Sequence, residues 1–265
     1  VPTTSIVVPT YNEAANIETL LDRIEAAMAG RGPNGSYEIV VVDDDSADGT
    51  WRLVEERSHR DERIRVLRRV GQRGLSSAVL AGMAMARGDV LVVIDADLQH
   101  DERRIPDLVE AVRGGADVAL GSREAEGGGY GPFARRRLLA SRLGAAVARL
   151  TIGVEVTDPM SGFFAVSRER HRELSGRINP RGFKILLEFL ARGREPRIEE
   201  VGYVFGARVA GSTKLSGSVV VAFVVSLVEL AVTRRIDRRR AGARASDGPA
   251  GDGQRAVDEL RPGDR

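Results

Sequence analysis

A chain of 265 residues has room for one large α/β domain or two small ones, and its 42% hydrophobic and 29% charged fractions are those of a soluble globular protein. The absence of cysteine excludes a disulfide framework, a thiolate metal site and a cysteine nucleophile, and His59, His100 and His171 are too few and too scattered to suggest a histidine-based zinc site. The net charge of +2 conceals a bias, because 40 basic residues include lysine at 184 and 214 alone, where a compact, flexible ammonium is suggested.

No basic segment followed by a long apolar run opens the chain, so no signal peptide is expected and a cytoplasmic location is the default. Ser5–Val8 reads as a short β-branched strand stopped by Pro9, with a turn over Thr10–Glu13. Ile17, Leu20, Leu21, Ile24 and Met28 recur at helical spacing up to Gly30 and Gly32. A second strand, Glu38–Val42, runs straight into Asp43, Asp44 and Asp45. Beyond Ser46 a helix carries Trp51, Leu53 and Val54, and Asp48 or Thr50 is placed to cap it.

Ile64–Leu67 is the third expected strand, followed by Gly71–Gly74 and a helix rich in small residues from Leu75 to Ala86. Val90–Ile94, continuously apolar, reads as a strand buried on both faces. It ends in Asp95, Asp97 and Gln99, which an extended backbone would set on one side. Carboxylates converging there repel unless a cation lies between them, and hard oxygen ligands suit Mg²⁺ or Mn²⁺. A pair of solvated loop acids is the plainer alternative. Ile105, Leu108, Val109 and Val112 mark the next helix. Strands alternating with helices imply a mainly parallel twisted sheet with helices on both faces, whose ligands bind at the carboxyl ends of the strands.

Val118–Leu120 leads into Gly121-Ser-Arg123 and a glycine-rich stretch, Glu124–Gly131, read as a mobile loop. A long helix is expected from Phe133 to Leu150. Arg135, Arg136 and Arg137 crowd its first turns, the wrong end for the helix dipole, so an external anion is their expected partner. Thr157–Phe164 is a loop entering a strand, and Phe183, Leu186, Leu187 and Leu190 outline a helix. Val201, Tyr203 and Phe205 alternate as in a half-buried strand that delivers the chain to Arg208 and Lys214. Val219–Val232 is apolar apart from Ser226 and Glu229, shorter than the roughly 20 residues that span a bilayer. It is read as an interfacial helix or one docked on a membrane partner, with an ordinary packing helix as the alternative. Residues 237–265 have the composition of a disordered tail. The nearby arginines, Arg234 to Arg244, suggest a solvated run first and contact with anionic lipid or nucleic acid second.

Neither a Walker-type phosphate loop nor a Gly-x-Gly-x-x-Gly opening the first helix is present. An Asp-x-Asp after a strand also occurs in aspartyl-phosphate phosphatases, but there it sits on the first strand and not the fourth. A nucleotide-sugar transferase would use every acidic strand end at once, with a metal at the diphosphate and the earlier acids at the nucleoside.

Seven segments in order resemble the motif set of family 2 glycosyltransferases. They are Pro9–Glu13, Val42–Ser46 with Asp48–Thr50, Asp95–His100, Gly121–Arg123, Asp158–Phe163, Gly182–Glu188 and Arg208–Lys214. Within that family they are most similar to the polyprenyl (dolichyl) phosphate mannose synthases, from about Ser5 to about Leu215. The resemblance implies a GT-A fold and transfer of mannose from GDP-mannose to a polyprenyl phosphate with inversion. By position, it implies that Pro9, Tyr11, Glu13 and Asp43 hold the nucleoside, with Asp44 nearby, and that Asp95, Asp97 and Gln99 gather the metal and diphosphate. Arg123, Arg137, Arg208 and Lys214 would surround the phosphates of donor and acceptor. Thr213 stands where the family commonly has Ser, and Glu124 follows Arg123 where an aromatic is frequent, which leaves that loop's contacts open.

The implied division is a catalytic domain over 1–215, a membrane-associating helix over 216–236 and an Arg-rich tail over 237–265, on the cytoplasmic face of a membrane, with a membrane protein as a further candidate partner. A phosphate monoester acceptor is already anionic at neutral pH, so no strong general base is required and the histidines have little catalytic weight. His100 is expected to shape the metal loop. Two rivals stand: the same chemistry with UDP-glucose, and a non-catalytic sugar-nucleotide-binding membrane subunit. Nucleic-acid binding is not expected, since no aromatics interleave the arginines.

Overall fold

The computed structural model of the chain describes residues 3–30, 36–131, 146–147, 149, 153–180, 184–207 and 229–232. Strand β1 (Thr4–Thr10) pairs in parallel with β2 (Tyr37–Asp43) on one side and β4 (Val90–Val93) on the other, and β3 (Ile64–Arg68) adds to β2. Beyond β4 lie β6 (Phe164–Ser167), β5 (Val118–Ser122) and β7 (Ile198–Gly202), giving one seven-stranded sheet in the order β3-β2-β1-β4-β6-β5-β7. β6 runs antiparallel to both neighbours while the other pairings are parallel. The mainly parallel sheet expected from the alternation of elements is therefore present, with one reversed strand that the alternation did not reveal.

Each strand sends alternate side chains to opposite faces, and both faces are covered. Ile6, Val8, Ile39, Val41 and Val92 pack with helices α1 (Ile17–Met28), α2 (Thr50–Ser58) and α4 (Ile105–Arg113). Val7, Val40, Val42, Leu91, Val93, Val118 and Leu120 pack on the other face with α3 (Leu75–Met85) and a later helix over Ile185–Ala191. At roughly 1.5–3 kcal/mol for each fully buried aliphatic side chain, these two layers dominate the stability of the fold. Helix α3 lies so close to the sheet that a Cβ at Gly82 would run into Val7 and come within 2.9 Å of Val42.

Two elements escaped the periodicity. α5 (Arg168–Glu173) is almost wholly charged in sequence, yet Ser167 accepts the Arg170 backbone N–H at 3.0 Å as an N-cap, and the Arg170 side chain is fully buried. Its guanidinium donates to the Phe189 carbonyl at 2.7 Å and pairs with Glu173 at 2.9 Å, so it joins α5 to the later helix, α6 (Ile185–Ala191). β7 spans Ile198–Gly202, so of the alternating Val201, Tyr203 and Phe205 only Val201 lies in it; Glu199 and Glu200 suit an edge strand and mask its pattern. The expected helices over 133–150 and 219–232 fall largely outside the described residues; 146–147, 149 and 229–232 are helical. Among the described residues no helix is long and apolar enough to cross a membrane.

Candidate active site

The strand order reverses direction between β1 and β4, since β2 and β3 lie on one side and β6, β5 and β7 on the other. A crevice at the carboxyl ends of strands opens at such a switch point. There the sequence places Pro9–Glu13, Asp43–Asp45 and Asp95–Gln99.

The first two of these segments form one interlocked loop pair. The register sets Thr10 beside Asp43, and the Thr10 hydroxyl donates to Asp43 at 2.7 Å. Asp43 also accepts from the Ser46 amide at 2.8 Å and the Ser46 hydroxyl at 2.6 Å, and it is completely buried. Ser46 in turn accepts the Asn12 amide, Thr50 accepts the Glu13 amide, and Asp48 accepts from Ala14 and Thr50. These partners hold Asp48 below the ordinary carboxylate range, against the opposing effect of burial. The α2 N-cap is Gly49 with no side-chain cap, so neither Asp48 nor Thr50 caps the helix as expected; both instead bind the β1 turn, while Asp43 is the floor of the loop pair. Asp44 faces the other way: it accepts from Arg69 Nε at 2.7 Å and the Gly74 amide at 2.8 Å, pinning the loop before α3. Tyr11 lies beneath the Arg73 guanidinium, 4.5 Å from ring centroid to carbon, and Glu13 accepts from Asn16 at 2.8 Å. Tyr11 and Glu13 are half-buried and line the crevice.

The Asp95–Gln99 stretch does not stay extended. β4 ends at Val93, residues 96 and 97 turn, and Leu98 has φ of 58°, so an extended, period-two arrangement of Asp95, Asp97 and Gln99 is corrected to a turn. Within that turn the Gln99 amide donates to Asp97 at 3.2 Å, while the Gln99 side-chain nitrogen donates to the Gly206 carbonyl at 3.1 Å. Asp95 and Asp97 are half-buried, and Asp95 lies against Gly162, where an added Cβ would collide with its carboxylate. Among the described residues no three histidine or acidic side chains form a cage for an ion. The turn's own donors, the Asp95 and Asp97 carboxylates and the Gln99 side-chain oxygen, are hard oxygen ligands of the kind that suit a divalent cation, and the missing Cβ at Gly162 makes room for the Asp95 carboxylate.

Arg123, at the end of β5, is paired with the buried Asp158: Nε donates to Oδ2 at 2.6 Å and Nη2 to Oδ1 at 2.8 Å. Burial works against its charge, but the carboxylate outweighs burial and its pKa lies above the ordinary guanidinium value. The arginine therefore brings little net charge to the crevice. Glu124, where an aromatic was the family's habit, accepts from the Tyr130 hydroxyl at 2.7 Å, and the Tyr130 ring lies 5.2 Å from the Arg123 guanidinium. Burial, then the Glu124 bond, push the Tyr130 phenol up to about 12. The glycine-rich stretch is tied to the end of the sheet instead of hanging free. Gly129 donates to Tyr203 O at 3.1 Å and accepts from the Phe205 amide at 2.8 Å. Its glycines let backbone approach backbone: a Cβ at Gly202 would meet the Glu126 carbonyl.

Lys184 reaches the same place from the start of α6. Its ammonium donates to the Met160 carbonyl at 3.0 Å, within electrostatic reach of Asp95, Asp158 and Arg123. Burial lowers its pKa and Asp95 opposes the fall. Sequence reading gave it no role, although the scarcity of lysine was the signal that marked it. Arg69 and Arg73 had no such signal, because their partners Asp44 and Tyr11 lie far away in the chain. Arg137, Arg208 and Lys214, expected at the phosphates, lie outside the described residues.

Residues 5–175 match the family described as Glycosyl transferase family 2. The chain is 42% identical over 228 residues to the dolichol-phosphate mannosyltransferase of Pyrococcus furiosus, an alignment covering 85% of this chain and 63% of that protein. It is 40% identical over 237 residues to the Saccharomyces cerevisiae protein of the same name, with 86% of each covered. It is 34% identical over 244 residues to the polyprenol monophosphomannose synthase of Mycolicibacterium smegmatis, with 89% and 90% covered. A solved structure of glucosyl-3-phosphoglycerate synthase from Mycobacterium tuberculosis, in complex with Mn²⁺, UDP and phosphoglyceric acid, superposes with a TM-score of 0.62 at 25% identity, covering 86% of this chain and 78% of that one. With this GT-A sheet and an Asp-x-Asp turn at its switch point, the chain belongs to the family 2 glycosyltransferases.

Proposed function

We propose that this chain transfers mannose from GDP-mannose to a polyprenyl phosphate, with inversion, at the cytoplasmic face of a membrane. The observation that carries the substrate class is the likeness to polyprenyl-phosphate mannosyltransferases along most of the chain. Tyr11 and Glu13 would line the nucleoside end, with Pro9 buried in β1 behind them, and Asp43 and Asp44 would act there by fixing the two loops that shape it. Asp95 and Asp97, with the Gln99 side-chain oxygen, would hold Mg²⁺ or Mn²⁺. Such an ion supplies charge neutralisation for a departing nucleoside diphosphate. Arg123 offers Nη1, the nitrogen outside its pair with Asp158, to a phosphate oxygen. Arg137, Arg208 and Lys214 are proposed as the remaining phosphate contacts. With an anionic nucleophile, positioning and electrostatics would carry the catalysis, the role proposed for Arg123, Arg137, Arg208 and Lys214. Residues 1–215 are proposed as the catalytic domain and 216–236 as the membrane-associating helix, with 237–265 an appended tail.

Incubation with Mg²⁺ or Mn²⁺, labelled GDP-mannose and a polyprenyl phosphate is expected to move label into lipid, and Asp97→Ala to reduce transfer at least about a hundredfold. No transfer across a range of prenyl lengths would refute the substrate assignment. The UDP-bound relative keeps UDP-glucose as the rival donor. GDP stabilising the protein against heat more than UDP would favour the mannose reading, and the reverse order the glucose one.

A further inference from the structure

His100 occupies a closed aromatic box behind Asp95. Its ring centroid lies 5.5 Å from those of Phe163, Tyr203 and Phe205, and it is 6% exposed. The Tyr203 hydroxyl is 2.8 Å from Nδ1. The Tyr203 hydroxyl can donate to Nδ1, the arrangement in which the ring proton sits on Nε2. Nε2 faces Asp95 Oδ2 at 3.6 Å, just beyond a hydrogen bond. Since the ring is boxed and the Asp95 side chain is 34% exposed, the carboxylate is the partner with room to move. Gly162 bounds that movement on another side.

A second set of bonds joins the same two segments. Gln99 donates through its side chain to Gly206 O at 3.1 Å, and the Gly206 amide donates to Gln99 O at 2.7 Å. Residues 99–100 and 203–206 are thus held by three hydrogen bonds across about a hundred residues of chain. From Gly206 the chain reaches Arg208 two residues later.

We propose that His100 and Tyr203 are positioning residues for Asp95, and that they and the Gln99–Gly206 bonds make the metal turn and the segment leading to Arg208 move as one unit. The inference rests on the reading of Asp95 and Asp97 as carboxylates that take a divalent cation. Carboxylate ligands are themselves commonly held by hydrogen bonds, and losing such a partner costs about tenfold or more in metal affinity. When Asp95 turns to a cation, a sub-ångström shift brings Oδ2 within reach of Nε2–H. The bond so formed would tie Asp95 through the boxed ring to Tyr203.

The test uses the full chain, Mn²⁺ and GDP, with Mn²⁺ uptake read by electron paramagnetic resonance and amide exchange by mass spectrometry. Tyr203→Phe should weaken Mn²⁺ binding about tenfold in protein that still melts cooperatively. His100→Gln, whose amide can donate toward Asp95 from close to the Nε2 position, should bind Mn²⁺ more tightly than His100→Ala. Mn²⁺ with GDP should slow exchange over 203–206 in the parent and less so in Tyr203→Phe. Equal Mn²⁺ affinity in parent, Tyr203→Phe and His100→Ala, or an unchanged exchange rate over 203–206 in the parent, overturns the proposal. If the parent takes up no Mn²⁺ at all, the metal reading falls as well, which separates the two failures. Should Tyr203→Phe fail to fold, the comparison of His100→Gln with His100→Ala decides.

Discussion

Glu102 shows how a single side chain can work against the fold. It is 5% exposed, its Oε1 has no hydrogen bond among the described residues, and the nearest cation, Arg23, stands 3.7 Å away on the surface. Burial raises its pKa above the unfolded value, so the native state binds the proton more tightly. Below the unfolded value both states are protonated and nothing is lost; as pH rises through the folded value the buried charge costs stability. Glu102→Gln should therefore raise the melting temperature near neutral pH, by about 1 kcal/mol of stability, with the gain fading below about pH 4. Thermal melts at both pH values check it, and a variant less stable at neutral pH would contradict it. Asp158 is the opposite case, its buried carboxylate matched by Arg123. Removing it would strand the guanidinium, at a cost of about 3–5 kcal/mol. The motif marked Asp158 but not its partner, since a buried partner distant in the chain leaves no local mark.

At the scale of elements, the strands and helices up to α4 were legible because each carries an apolar run, a helical spacing or a small-residue stretch bounded by turn residues. Boundaries moved where polar residues continue a strand: Thr10 and Asp43 belong to β1 and β2, and Glu199 and Glu200 to β7. The charged α5 was hidden because its stability comes from the buried Arg170 and the Ser167 cap, not from an apolar face. Helix α3, by contrast, was legible, but the reason for its small residues was not. Replacing Gly82 by Ala would gain about 1 kcal/mol in helix propensity. The new methyl would press on the buried Val7 and Val42, and overpacking of that kind costs about 1–3 kcal/mol. Crowding should win, so Gly82→Ala is expected to lower the urea midpoint without changing the slope. An unchanged or higher midpoint would mean that α3 can back away from the sheet.

Across the whole molecule, the crevice draws on widely separated parts of the chain: Tyr11 and Glu13 from the beginning, Asp95 and Asp97 from the middle, Asp158, Lys184 and Gly206 from the end. A ligand that bridges them stabilises the native state through all of them at once. GDP with Mn²⁺ is expected to raise the melting temperature by several degrees, corresponding to about 2.7 kcal/mol at a hundred times the dissociation constant, and EDTA to reverse the rise. Trp51, the one tryptophan, stacks with Arg68 at 3.9 Å, an arginine that also pairs with Asp45, and offers a fluorescence readout of the same binding. A rise unaffected by EDTA would place the nucleotide without the cation. By itself the sequence determined the α/β class, the family and the acidic strand ends, because periodicity and motif order are local properties of the chain. Tertiary structure alone decided which acids are structural and which line the crevice. Asp43 is closed off by Thr10 and Ser46, Asp44 is tied to Arg69, and Asp95 is left beside Gly162, His100 and Lys184. Whether a carboxylate is consumed by a partner depends on what the fold brings to it from elsewhere.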